Sequence, residues 1–183
     1  NVGGGLLGHL LARHADTTYA SLLKDRVLQP LGMGDTGILA PSDTMQSNLA
    51  TGYANVGPVP YWHWDALASA GALYSTPTDL LRFLQIALHP GDQPLASALR
   101  RTYRVQHRES AQFALTLGWH VSPAPDGTDV YWHNGGTGGF RSFVAMSREH
   151  GTGVIVLANK VLPLQQFNVF AFQIVRTALA SEE

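Results

Sequence analysis

The run His133-Asn134-Gly135-Gly136-Thr137-Gly138-Gly139-Phe140 concentrates the groups most able to do chemistry in this sequence. An imidazole titrates near neutral pH and can carry a proton in either direction. A strand histidine standing alone is more often bonded to a neighbour than catalytic, but the glycine-rich continuation favours the catalytic reading. Gly135 to Gly139 reads as a hairpin turn or a phosphate loop. No helix-start pattern and no Lys-Ser/Thr follows, so nucleotide binding is poorly supported and a turn beside an active site is the better reading.

Other candidates are weaker. Ser21-Leu22-Leu23-Lys24 fits Ser-x-x-Lys, a spacing that sets both side chains on one helix face, although so short a match arises easily by accident. Tyr61-Trp62-His63-Trp64 serves equally as a cleft wall or as edge packing; its place between a loop region and Ser69-Ala70-Gly71 favours the wall, with Trp62 as a substrate-contacting residue. The eight histidines are scattered and none has zinc-helix spacing, so no metal site is predicted. There is no cysteine, which excludes thiol nucleophiles, thiolate metal sites and disulfides. Leu67-Ala68-Ser69-Ala70-Gly71 lacks the first glycine of a nucleophile elbow, leaving an α/β-hydrolase triad weakly supported.

These residues need a framework, and the composition supplies one. The 183 residues suit one domain or part of a larger one. The chain is 45% apolar and only 14% charged, so much of its surface should face other protein. With 12 basic and 13 acidic side chains and no basic stripe, nucleic acid is an unsuitable partner. No stretch approaches the roughly 20 apolar residues of a membrane span. The first residue is Asn1, followed by Val2-Gly3-Gly4-Gly5, which is neither an initiator nor a signal peptide; a preceding portion is expected.

Leu6, Leu7, Leu10 and Leu11 recur at helical spacing, and Asp16 is placed to cap a second helix that carries Tyr19 to Val27 and stops at Gln29-Pro30. Leu31 to Tyr61 reads as an ordered, functional loop region. Thr76-Pro77-Thr78-Asp79 starts a helix, with Thr as cap and Asp reaching back to free N–H groups; Leu80, Leu84, Ala87 and Leu88 form its apolar stripe. From Phe113 to Val121 the apolar period becomes two, predicting one strand. A turn at Asp126-Gly127 leads to a second strand over Asp129 to Asn134, then a third over Phe140 to Met146. The continuous apolar run Val154 to Leu157 suits the buried centre of a sheet. A helix apolar on more than one face follows Pro163 and should lie flat on that sheet. The apolar first strand and this last helix predict a sheet missing neighbours, its edge covered by an N-terminal portion.

The order of motifs resembles the β-lactamase-related serine hydrolases, the superfamily of class C β-lactamases, penicillin-binding proteins, DD-peptidases and related esterases. Asn1 to Leu11 resembles the segment after that family's Tyr-x-Asn motif, with Asn1 as its Asn. Pro30-Leu31-Gly32-Met33 with Thr36 is similar to its Pro-Leu-Gly-Met-x-x-Thr element. Ser69 to Thr76, then Asp79-Leu80 and Phe83, resembles Ala-Gly-Gly-Leu-x-Ser-Thr-x-x-Asp-Leu-x-x-Phe. Leu117-Gly118-Trp119 and His133-Asn134-Gly135 resemble the strand before the third active-site motif and that motif itself, with His-Asn-Gly where the β-lactamases carry Lys-Thr-Gly.

The resemblance implies an α+β fold: an antiparallel sheet flanked by helices and part of a helical region, incomplete at the N-terminus. Residues 1–110 would form the helical and loop part and residues 111–183 the strands and last helix, both within one catalytic domain. It implies acyl transfer through an acyl-enzyme, without a cofactor, on an amide, ester or β-lactam in a small-molecule or peptide substrate. The nucleophile and lysine of Ser-x-x-Lys would lie outside this chain. Asn1 would hold the lysine or the substrate amide, and His133 would be an active-site imidazole. Asn134 and Gly135 would face substrate, and the Gly136 N–H would be one oxyanion donor. Ser21 and Lys24 follow the Asn motif where the family's nucleophile precedes it, which makes them solvated-face residues. The fragment alone should be inactive. A non-catalytic binding or sensor module on the same fold is the rival reading, and a periplasmic or secreted setting is the one the resemblance leans to.

Overall fold

The computed structural model describes residues 1–38, 49–92 and 94–181. They divide into two compact units: Asn1–Arg82 with Thr137–Phe140 and Asn159–Val161, and Phe83–Gly136 with Arg141–Ala158 and the chain from Leu162 onward.

The first unit opens with α1 (Val2–His14) and α2 (Tyr19–Leu23), the latter continuing into a π-helical turn, Lys24–Leu28. In α1 the buried residues are Gly5, Gly8 and Ala12, while Leu6, Leu7, Leu10 and Leu11 are about half exposed. The glycines let α1 press against the 3-10 segment Asp65–Ala70: a Cβ on Gly5 would strike Leu67, and one on Gly8 would strike Ser69. Ser69 Oγ donates to Gly4 O at 2.8 Å. The cap of α2 is Thr18 rather than Asp16, because Thr18 Oγ1 accepts from Ser21 N at 3.1 Å. Asp16 instead takes a left-handed conformation in the connection, φ 48°.

Two-residue strands follow: β1 (Gly37–Ile38), β2 (Gly52–Tyr53), β3 (Pro58–Val59) and β4 (Leu73–Tyr74), pairing β1 with β4 and β2 with β3. The expected loop region is thus partly ordered into ladders, and its residues 39–48 lie outside the described ones. Then α3 (Pro77–Leu88) starts under its Thr76 cap, Oγ1 accepting from Asp79 N at 3.2 Å. Asp79 does not reach back to the helix start. Its carboxylate is fully buried and accepts from Asp35 N and Thr36 Oγ1, each at 2.8 Å, and from Arg82 Nη1 at 3.3 Å.

The second unit is a six-stranded sheet with helices on both faces. After α4 (Ala96–Thr102) come β5 (His107–Ser110), β6 (Phe113–Leu115), β7 (His120–Pro123), β8 (Asp129–Thr137), β9 (Phe140–Ser147) and β10 (Thr152–Ala158), in spatial order β10-β9-β8-β7-β6-β5, and finally α5 (Leu164–Ala180). One core joins Leu84 and Ala87 of α3 and Leu99 of α4 to Ala114, Val121, Tyr131 and Met146 of the sheet. The other joins Phe167, Ala171, Val175 and Leu179 of α5, at i, i+4, i+8 and i+12, to Val130, Phe143, Ala145 and Val154. Alternate residues of β8, β9 and β10 therefore feed opposite cores, as the period of two requires.

One strand expectation changes. The strand over Phe113 to Val121 is two strands joined by a tight turn, closed by Thr116 N donating to Trp119 O at 2.9 Å. The alternation runs unbroken through the turn because Leu117 occupies an exposed tip and Gly118 absorbs a φ of +102°. Among the described residues β10 has β9 as its one lateral neighbour, and its apolar run reflects burial by helices, Ile155 toward the α3 side and Val154 and Val156 toward α5.

Candidate active site

The register of β7 on β8 positions the glycine-rich strand. Their pairs are Pro123–Asp129, Ser122–Val130, Val121–Tyr131 and His120–Trp132. At the hairpin, which turns on Asp126 and Gly127, Ala124 N donates to Thr128 O at 2.8 Å. Antiparallel ladders alternate, so the main-chain groups of Val130 and Trp132 point toward β7 like those of Thr128. The same period aims the amides of Asn134 and Gly136 to that side. There β7 has ended, since His120 is its first residue and the chain before it turns back into β6. His133 and Gly136 are exposed.

Side chains around this strand are held from both faces. Trp132 stacks on Phe143 at 5.7 Å and meets Phe172 of α5 edge-on at 5.1 Å. Trp132 Nε1 donates to Ser122 Oγ at 3.1 Å. The Asn134 side chain turns to the same face, its Nδ2 donating to Asn168 Oδ1 at 3.1 Å. What Asn134 offers at the open side is consequently main chain. At Gly135 a Cβ would meet Ser142 Oγ at 2.5 Å, so the glycine answers a close approach within the sheet.

His133 follows directly after the last β7–β8 pair, and its ring stands 5.2 Å from that of His120 with the planes at 27°. His120 also touches Phe113 at 5.2 Å and Trp132 at 4.5 Å. Burial, and secondarily the charge of His133, pull the His120 pKa below the ordinary imidazole value.

In the first unit, Trp62 stands against the turn that follows β8. A Cβ on Gly138 would lie 2.6 Å from Trp62 Nε1, and Trp62 is half exposed. Tyr61 stacks on Phe140 at 5.8 Å and donates from its hydroxyl to Ala50 O at 2.8 Å. Trp64 packs instead beside Gly71. Asn1 sits exposed at the N-cap of α1 without a side-chain capping bond. Ser21 and Lys24 are exposed, and Ser21 Oγ accepts from Thr18 Oγ1 at 2.9 Å. A hollow of about 450 Å³ along α5, lined by Leu164, Asn168, Val169 and Phe172, lies on the Asn134 side-chain face and offers Arg176 as its one charged group.

Residues 1–178 match the family model described as Beta-lactamase. The chain belongs to the β-lactamase family. It is 29% identical over 192 residues to a "Beta-lactamase" of Pseudomonas fluorescens, covering 87% of this chain and 53% of that protein. It is 27% identical over 181 residues to the "D-alanyl-D-alanine-carboxypeptidase/endopeptidase AmpH" of Escherichia coli K12, covering 91% of this chain and 46% of that one. Among solved structures, the "D-alanine Carboxypeptidase AmpC from Burkholderia cenocepacia" superposes with a TM-score of 0.83 at 26% identity, over 96% of this chain and 59% of its own. "A class C beta-lactamase" superposes at 0.82 and 24% identity, over 95% and 55%, a likeness of fold alone. The chain spans about half the length of the curated relatives it matches. As a β-lactamase-family chain it carries the antiparallel sheet with helices on both faces that its motifs led one to expect. Among the described residues no helix is long and apolar enough to cross a membrane.

Two neighbours of this strand carry no sequence signal of their place, His120 beside His133 and Asn168 bonded to Asn134. The run that contains His120 reads as one continuous strand, which hides that His120 is the first residue of β7 and marks where β8 loses its partner. Asn168 carries no sequence signal beyond being a polar residue on an apolar helix.

Proposed function

We propose that this chain is the C-terminal part of a serine hydrolase that acts through an acyl-enzyme on an amide, ester or β-lactam. The observation that carries the reading is the β7–β8 register, which ends at His120–Trp132; continued along β8, its alternation aims the Gly136 amide toward the side that β7 no longer covers. A strand edge of that kind offers main-chain donors to a substrate lying alongside it, and a donor aimed at a tetrahedral oxyanion is worth about 10²–10³ in rate. Gly136 supplies that donor. Asn134 and Gly135 contribute main chain to which the substrate pairs, and His133 is the titratable group at the strand's exposed side. Trp62, against the turn at Gly138, adds an apolar wall for the acyl donor. Asn1 belongs to the Tyr-x-Asn motif and orients the lysine or the substrate amide. The nucleophile comes from a Ser-x-x-Lys portion outside this chain, which here holds only the exposed, cap-bound Ser21.

The relatives, a β-lactamase and a D-alanyl-D-alanine carboxypeptidase/endopeptidase, make a β-lactam and a D-alanyl peptide the substrates to try first. A protein joining this chain to its upstream portion is treated with a fluorophosphonate or a labelled penicillin and examined by mass spectrometry. A covalent adduct on a serine upstream of Asn1 is the expected result. No adduct, with labelled penicillin still bound reversibly, would assign the fold to a binding or sensor module instead.

A further inference from the structure

We propose that His120 is a positioning residue for His133: the two rings form a stacked imidazole pair, in which charge on His133 disfavours a proton on His120. The proposal rests on the reading of His133 as an active-site group.

Four observations support the pair. The rings are 5.2 Å apart and 27° from parallel, close to face-to-face. His120 Nδ1 is buried and, among the described residues, has no hydrogen-bond partner. An imidazole nitrogen sealed this way serves no structural bond, and a buried polar atom without a partner calls for an explanation. His120 is also the strand residue at which β7 pairing stops, opposite Trp132. Its ring is therefore fixed from two sides, by Phe113 of β6 and Trp132 of β8. That leaves His133 as the partner free to respond.

The charged groups around His120 are few. β6 presents Phe113 and β8 presents Trp132 and His133, so His133 is the one titratable group in ring contact. β7 has no other ionisable side chain. His107 of β5 lies further along the same cross-strand row, beyond Leu115. Among the described residues no carboxylate acts on His120. Two cations at this separation repel, so charge on His133 works against protonation of His120. Burial pulls the His120 pKa down and the His133 charge adds to the effect.

The test has a spectroscopic and a kinetic arm. Imidazole NMR titrations are recorded on the full protein and on its His133→Asn variant. The His120 midpoint is expected to rise on removal of His133 while staying below that of an ordinary histidine, because burial persists. An unchanged midpoint overturns the pair. In the kinetic arm, His120→Phe keeps an aromatic platform and removes the nitrogens, while His120→Ala removes both. His120→Phe is expected to hold KM within about two-fold and to simplify the acid limb of the kcat/KM profile to one ionisation. His120→Ala is expected to lower kcat by roughly ten-fold or more through loss of ring orientation. Parent-like profiles and rates in both folded variants overturn the positioning role. If His120 shifts as expected but His133→Asn leaves turnover and its pH profile untouched, the pair stands and the assignment of His133 to catalysis is what fails.

Discussion

Thr36 Oγ1 donates to Asp79 Oδ2 at 2.8 Å, joining two segments 43 residues apart in the chain. The same carboxylate oxygen accepts from Asp35 N, and Thr36 Oγ1 also lies 2.7 Å from Ser75 Oγ. Pro30 to Thr36 and Ser69 to Asp79 are two resemblance motifs that carry no obvious catalytic group. Their physical content is this clamp. A fully buried carboxylate replaces lost water with two donors from a loop and one from Arg82.

Asp79→Ala should therefore unfold the first unit more readily. It strands the Asp35 amide and leaves the Thr36 hydroxyl with Ser75 Oγ alone, and the loss of hydrogen bonds to a charged group suggests roughly 2–4 kcal/mol. Urea unfolding of parent and variant measures it. A midpoint within experimental scatter of the parent would contradict the clamp.

Much of this arrangement was legible in the sequence, for reasons that differ by element. The Thr76-Pro77 start of α3 and its Leu84 and Ala87 stripe are local and strong, and both stand as read. The turn at Leu117-Gly118 was hidden because an exposed turn tip happened to preserve the alternation. That β10 has one lateral neighbour among the described residues could not be read from its composition, because a strand covered by helices on both faces has the same composition with one such neighbour or two. Asp79 was placed correctly in the first helical turn but given the wrong partners, since a capping acid and a clamping acid look alike in sequence. At the candidate site the glycines and His133 were visible, whereas the direction of the Gly136 amide needed the β7–β8 register.

Gly136→Pro removes one N–H at the position assigned to the oxyanion. In the full protein kcat should fall by about 10²–10³ with a smaller change in KM. Gly136→Ala retains the N–H, and its Cβ would meet only the tip of Arg141, 2.7 Å from Nη1, so a loss well short of that is expected. Equal losses in the two variants would mean that space, not the amide, is what Gly136 provides.

Ser21→Ala should leave acylation by a labelled penicillin unchanged. Ser21 is exposed, its hydroxyl is bonded to Thr18 Oγ1, and its role is confined to the start of α2. Loss of labelling in a folded Ser21→Ala protein would return the nucleophile to this chain.

The hairpin between β7 and β8 carries a pH dependence of its own. Asp126 accepts from Thr128 N at 3.0 Å, from Thr128 Oγ1 at 2.7 Å, and lies 2.7 Å from His150 Nε2. The Thr128 backbone bond first, then its hydroxyl and the His150 contacts, hold the Asp126 pKa down at about 2. A carboxyl depressed in the folded state stabilises fully above its unfolded value of 3.8, and the contribution is lost as pH falls through about 2. The gap in melting temperature between parent and Asp126→Asn should thus be constant near neutrality and narrow between those two values. A gap that stays the same down to pH 2 would remove Asp126 from the account.

Trp62 and Gly138 test whether the turn after β8 belongs to the substrate wall. A Cβ on Gly138 would stand 2.6 Å from Trp62 Nε1 and 3.4 Å from Pro60 O, so Gly138→Ala must displace the indole or the turn. Trp62→Ala removes the same surface without straining the backbone. If Trp62 contacts the acyl donor in ground and transition states alike, Trp62→Ala raises KM several-fold and leaves kcat nearly unchanged. Gly138→Ala, by moving that indole, should follow it in KM. In a double variant the two effects should fall short of additive, because both act through one contact. Steady-state kinetics on a D-alanyl peptide and a β-lactam measure all three proteins. A parent-like KM in Trp62→Ala would reduce the aromatic run to packing against Phe140 and the turn.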